Sequence, residues 1–314
     1  MKKFIQRICI ATALSILIIV VPIAGILASR YSRLQQAGDV IFAVNADASV
    51  VVLGDSHSHS FVGNSTIGIK KLTYSGSPLN VSLMRLKELE RRGGLENIKY
   101  CAVCIDHASF CEMSVEMQIR AIWEFMPFSL RYTELYPPVG LCKYSLYAQL
   151  ADFTLSNLDQ CPPIADGVKR TVSDKFVHVP TETLAERSNE WVARALTATM
   201  ERHFSYNDRP YTMIRNAEDF LMTVIGEFRV VCERNNVHLI FVSTPLSNVY
   251  RDNVPDWARE KLNTLVDAIK NMGLTYYDYM DWGEARYFRD LDHLNKEGSE
   301  EFTKVFLGDV LVEK

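Results

Sequence analysis

The sequence predicts a three-layer α/β/α fold around a parallel sheet, with one large insertion. Three observations predict it: continuous rather than alternating apolar runs, amphipathic stretches between them, and Gly-, Ser- and Asp-rich turns that close the runs. The first run, 48–53 (Ala-Ser-Val-Val-Val-Leu), stops at Gly54-Asp55-Ser56. An unalternating β-branched strand of this kind is buried on both faces, as in a sheet covered by helices. Residues 70–74 make a second strand, ending at Ser75-Gly76-Ser77-Pro78. Leu79, Leu83, Leu86 and Leu89 share one face of a helix over 79–92, which Gly93-Gly94 stops. A strand at 100–105, a strand at 238–243 closed by Thr244-Pro245, a helix at 257–271, a strand at 274–279 and a helix at 297–307 complete the alternation. Right-handed crossovers then make the sheet parallel. Its working residues belong at the carboxyl ends of strands, where Gly54-Asp55-Ser56, Gly76, Asp106-His107 and Thr244-Pro245 fall.

One connection is far longer than a crossover helix needs. Between the strands at 100–105 and 238–243, residues 184–203 and 213–235 read as helices, while 126–182 is rich in aromatics and prolines. Long excursions of this sort serve as lids or binding surfaces, so substrate selection is expected in an insertion at about 108–212. With 314 residues, 48% of them hydrophobic, the chain suits one α/β domain carrying such an insertion. A net charge of −4 and the lack of any basic block exclude nucleic acid as a partner.

The front end is distinct. Residues 1–7 carry Lys2, Lys3 and Arg7, and 8–29 hold no charge at all. As a helix that run reaches across the roughly 30 Å of bilayer hydrocarbon. A cleaved signal peptide would have a shorter apolar region and a small-x-small site, which Ile26 and Ala28 do not provide. The expectation is a transmembrane signal anchor at 8–29, a linker at 30–45 and a domain at 46–314. The domain would lie outside the cytoplasm, in the periplasm or at the cell surface, although Arg30 and Arg33 weaken the charge contrast that sets orientation. Of the seven cysteines, Cys9 is in the anchor. Cys101 and Cys104 sit in an apolar strand and read as buried free thiols, and Cys142 with Cys161 could bridge.

Two constellations carry chemistry. In Gly54-Asp55-Ser56-His57, a serine on a tight strand-to-helix turn presents its hydroxyl at the top of the sheet, near backbone N–H groups that can bind an oxyanion. Alone, Gly-Asp-Ser is equally ordinary turn and capping chemistry. Near the other end stands Asp290-Leu291-Asp292-His293-Leu294-Asn295. A carboxylate three residues before an imidazole can orient it to take a serine proton. Alone, this is also a capped helix start, with Asp292 or Asn295 as the cap.

Together the two blocks resemble the SGNH/GDSL hydrolase superfamily, whose first block is Gly-Asp-Ser after the first strand and whose last is Asp-x-x-His near the C-terminus. The resemblance covers about 50–110 and 235–310 and leaves out the insertion. It implies a flavodoxin-like three-layer fold and a triad of Ser56, His293 and Asp290. It also implies an oxyanion hole from the N–H groups of Ser56 and Gly76. Where the family's third block supplies an Asn donor, this chain has Asp106-His107, so a third donor is not expected from Asp106 when ionised. The weaker third block is similar to that of tethered relatives handling surface polysaccharides. This implies a serine esterase or O-acyltransferase (acetyl being the expected group) acting on a cell-surface glycan or related polymer, with a membrane acyltransferase as a partner and no cofactor.

Two other readings remain. One is a non-catalytic SGNH-like scaffold that binds a glycan or joins an assembly. The other is a metal-dependent hydrolase using the His57-Ser58-His59 run with Asp55, Asp290, Asp292 and His293. The run lacks the companion blocks of metallohydrolases, so no metal is expected, and His57, His59 and His107 are placed along the cleft as substrate contacts. His178, His203 and His238 are given ordinary structural roles.

Overall fold

The computed structural model describes residues 38–43, 47–63, 68–73, 75, 77–110, 131–132, 135, 182–204 and 217–312. Five strands form one parallel sheet: β1 (Val50–Gly54), β2 (Ile69–Thr73), β3 (Tyr100–Cys104), β4 (His238–Ser243) and β5 (Thr275–Asp278). Their spatial order is β2-β1-β3-β4-β5, and every neighbouring pair is parallel. This is the flavodoxin-like order, whose chain reversal lies between β1 and β3. The α/β architecture is therefore the one expected. The anchor at 8–29 and the linker lie outside the described residues, among which no helix is long and apolar enough to cross a membrane.

Period-two geometry sorts the strand side chains into two cores. Val51, Leu53, Cys101 and Val103 face one layer, formed by α1 (Leu79–Arg91), α3 (Ala217–Arg234) and α5 (Asp256–Asn271). Val50, Val52, Ala102 and Cys104 face the other, formed by α2 (Asn189–Phe204), α4 (Asn248–Asn253) and α6 (Lys296–Val312). The same alternation sends Cys101 and Cys104 to opposite faces, and both are free and buried, as is Cys232. Cys142 and Cys161 lie outside the described residues. All five residues of β1 are buried, and each buried aliphatic side chain there contributes about 1.5–3 kcal/mol.

Gly54 is where the strand must be glycine. Its φ is +147°, and a Cβ there would meet the Cβ of Cys104 at 2.7 Å and that of Ser58 at 3.1 Å. Close contact between the end of β1 and the end of β3 thus depends on a missing methyl. Gly54→Ala is expected to destabilise the protein by about 2–4 kcal/mol, from backbone strain plus overpacking. A fall in the denaturant midpoint without a change in slope checks it.

Candidate active site

The first segment of the site is the turn after β1. Asp55 accepts a hydrogen bond from the His57 N–H at 2.9 Å, and Ser58 donates its hydroxyl to the Asp55 carbonyl. This turns the chain at once into the 3-10 turn His57–Ser60. Ser56 stands at the N-cap position of that turn without a side-chain cap bond and is partly exposed, while His57 is driven inward and is only 2% exposed.

The second segment is the closed loop between β5 and α6. A bridge between Phe288 and Leu294 and a bond from the Arg289 N–H to the His293 carbonyl (3.1 Å) seal its neck. Inside it, Asp290 Oδ1 accepts from the N–H of Asp292 (3.1 Å) and of His293 (2.7 Å). That fixes the Asp290 carboxylate 3.0–3.1 Å from His293 Nδ1. Asp290 and His293 are thus brought together as expected. Asn295 caps α6 through Gly298 (2.8 Å), and its amide donates to the Arg286 carbonyl (2.6 Å). Of the two cap candidates, Asn295 is the cap.

Asp292 is buried and central. Its Oδ1 lies 3.3 Å from His293 Nδ1, and its Oδ2 lies 3.3 Å from His57 Nε2, 3.5 Å from the Arg202 guanidinium and 3.6 Å from His203 Nε2. On the other side of His57, Nδ1 forms an ion pair with Asp106 and lies 3.5 Å from Asp55. Asp106 is itself set by Ser109, whose N–H donates to Oδ1 at 2.9 Å. The expected cleft position of His57 is corrected: a buried ring between two carboxylates does not reach a substrate. His107 is buried as well, and His59 is exposed. Asn80 turns away to the Leu135 carbonyl (3.1 Å). Gly76 and Asn64 lie outside the described residues.

The rings of His57 and His293 stack at 5.2 Å with planes 16° apart, and the His203 ring meets His57 edge-on at 5.8 Å. His203 also pairs through Nδ1 with the Tyr250 hydroxyl at 2.8 Å. His203, of which an ordinary structural role was expected, therefore belongs to this network, and so does Arg202, which the sequence did not single out. They arrive from α2, inside the excursion. The Leu184 N–H donates to the Phe288 carbonyl (2.8 Å), tying that same stretch to the neck of the loop.

Burial alone would discharge His57, but the carboxylates of Asp106, Asp55 and Asp292 outweigh it and hold the ring charged well above the usual imidazole range. Burial also opposes charge on His293, where Asp292 and Asp290 prevail and raise it to about 9. In His203 burial wins, and it falls to about 4. Burial works to raise Asp292, yet His293 and His57 keep it well below the carboxylate range. His293 Nε2 is buried with no hydrogen-bond partner among the described residues, so the Ser56 hydroxyl does not bond to it.

Two overlapping triplets have metal-ligand side chains: Asp55, His57 and Asp106, and His57, Asp292 and His293, with ligand atoms within 4.8 Å of one another. Both pass through His57. Its Nε2 faces Asp292 and its Nδ1 forms an ion pair with Asp106, and a cation would have to displace one of those contacts.

A histidine whose pKa is raised on folding stabilises the fold below its unfolded value of about 6.5, and that contribution is lost as pH rises through the folded value. His203, neutral in both states above pH 6.5, does not oppose this. Thermal stability is therefore expected to fall from about pH 6.5 to about pH 9, and His293→Gln should flatten the decline in melts across that range. No protein-family model matches the chain, and no curated protein does. Among solved structures the chain is similar to a GDSL-like lipase from Bacteroides thetaiotaomicron, at 13% identity and a TM-score of 0.38, covering 89% of this chain and 98% of that one.

Proposed function

We propose that the protein is a serine-dependent esterase or O-acyltransferase in which Ser56 is the nucleophile, His293 the base and Asp290 the residue that orients it. The observation that carries this reading is His293: Nδ1 is held by Asp290 at 3.0 Å, and Nε2 has no hydrogen-bond partner among the described residues. The His293 ring stacks on the residue next to Ser56. Catalytic hydrogen bonds of this kind often close only when substrate binds.

In the proposed reaction His293 first gives up the proton that its acids hold on it up to about pH 9, and then takes the Ser56 proton at Nε2 as Oγ bonds to the acyl carbon. The alcohol leaves with that proton. Water or a sugar hydroxyl then attacks the acyl-enzyme, gives its proton to His293, and restores Ser56. The N–H groups of Ser56 and Gly76 are the proposed oxyanion donors. Asp106, engaged by His57, takes no part as a third donor, and the loss of one such donor slows acyl transfer about a hundredfold or more. The substrate we propose is an acylated cell-surface glycan or related polymer, handled outside the cytoplasm by a domain tethered through 8–29 and supplied by a membrane acyltransferase. The uncharged 8–29 run supports this placement.

A non-catalytic scaffold has one observation in its favour, the missing bond between Ser56 and His293 Nε2. A fluorophosphonate separates the two readings. The wild type should gain one adduct mass on Ser56, and Ser56→Ala should gain none. Turnover of a small acetyl ester should fall at least a thousandfold in Ser56→Ala and in His293→Ala. An unlabelled wild type, or equal labelling of Ser56→Ala, overturns the catalytic reading.

A further inference from the structure

We infer that His57, acting through Asp292, is a positioning residue that sets the orientation and proton affinity of His293. The inference rests on the reading of His293 as the catalytic base. It starts from connectivity. Asp106, His57, Asp292 and His293 form a chain of facing groups, each in contact with the next, that runs from the end of β3 through the turn after β1 to the loop before α6.

His57 acts on His293 in two ways. It draws Asp292 Oδ2 to itself, so that Oδ1 is the oxygen turned to His293 Nδ1. It also places a like charge, stacked at 5.2 Å, against the face of the base. The second effect resists protonation of His293, while Asp290 and the Asp292 oxygen so turned favour it. At 5.2 Å and an effective dielectric of about 20, the charge of His57 is enough to move a neighbouring titration by about one pH unit or more.

The other charged groups are placed so that they do not replace His57. Asp55 and Asp106 face its Nδ1 side, away from Asp292. Arg202 reaches Asp292 from α2 at 3.5 Å but is half exposed, and its charge is screened. Arg289 lies 3.5 Å from Asp290 at the loop's edge. His203 and His107 are held towards their neutral forms, chiefly by burial, and burial keeps the Cys104 thiol protonated. His59, in the same turn as His57, is lowered to about 3, chiefly by the loss of water around its ring and then by the charges of Lys71 and His293, so it brings no charge of its own to His293.

The test follows the His293 imidazole by NMR titration of the full chain, its signal assigned by loss in His293→Gln. The acid limb of kcat/KM for the acetyl ester is measured in parallel. His57→Gln should raise the His293 midpoint by about one unit or more, a tenfold loss of neutral base at fixed pH. Asp292→Asn should lower it by a similar amount, and the acid limb should move with the midpoint in each case. A residue that only fills space would lower activity alike at every pH and leave both midpoints in place. An unmoved His293 midpoint in folded His57→Gln overturns the inference. Should that variant fail to fold, an unmoved midpoint in Asp292→Asn does the same. If the wild type takes no fluorophosphonate adduct while the midpoints still move, the serine reading fails and the coupling stands.

Discussion

The site is organised around one carboxylate. Asp292 is 2% exposed and is shared by His57, His293, His203 and Arg202. A buried carboxylate with no cation beside it would take up a proton or unfold its surroundings, and removing one partner of such a pair typically costs about 3–5 kcal/mol. Its four partners come from three parts of the chain. The turn after β1 brings His57, the excursion brings His203 and Arg202, and the loop before α6 brings His293. Their meeting at Asp292 requires the layers, the crossovers and the docking of α2 to be correct together.

The same arrangement divides labour among three imidazoles. His57 has a carboxylate at each nitrogen, so it can neither give nor take a proton without breaking an ion pair. His203 turns Nδ1 to a tyrosine hydroxyl and is held towards its neutral form by burial. Of the three, His293 has one nitrogen gripped by acids and the other unengaged among the described residues. Environment, rather than residue type, thereby selects the group suited to proton transfer.

Much of the fold was legible because burial leaves periodic marks. The unbroken Val-Val-Val-Leu run, the leucine spacing of α1 and the boundaries of β4 reflect short-range geometry and lie where expected. Ends were harder. α6 continues to Val312 past 307 because Phe306 and Val310 are buried, which offsets the roughly 1 kcal/mol cost of Gly308 within a helix. The short helix α4 went unread, although its cap, Ser247, accepts from the Tyr250 N–H and was visible as Ser-Asn after a proline. Of the site, Asp290 with His293 was legible because both sit within one turn of sequence. His57 was misplaced, since nothing local says that a histidine after a serine turns inwards. One signal was there: an acid at 106, at the end of a buried strand, needs a cation, and the nearest strand end carries His57. His203 offered no such signal, because the partner that defines it is held by a loop far along the chain.

The turn after β1 is joined to α6 by more than charge. Phe61 packs on Phe302 and Phe306, with ring centroids 5.0 and 4.8 Å away, and the Val62 N–H donates to the Thr303 hydroxyl at 2.9 Å. During synthesis, then, the turn after β1 is made early and stays without its platform until α6 has been made. Contacts of such long sequence separation form late and slowly, so on a growing chain the turn waits for the helix that holds it. The proposed acyl chemistry could begin only after α6 has been made and docked.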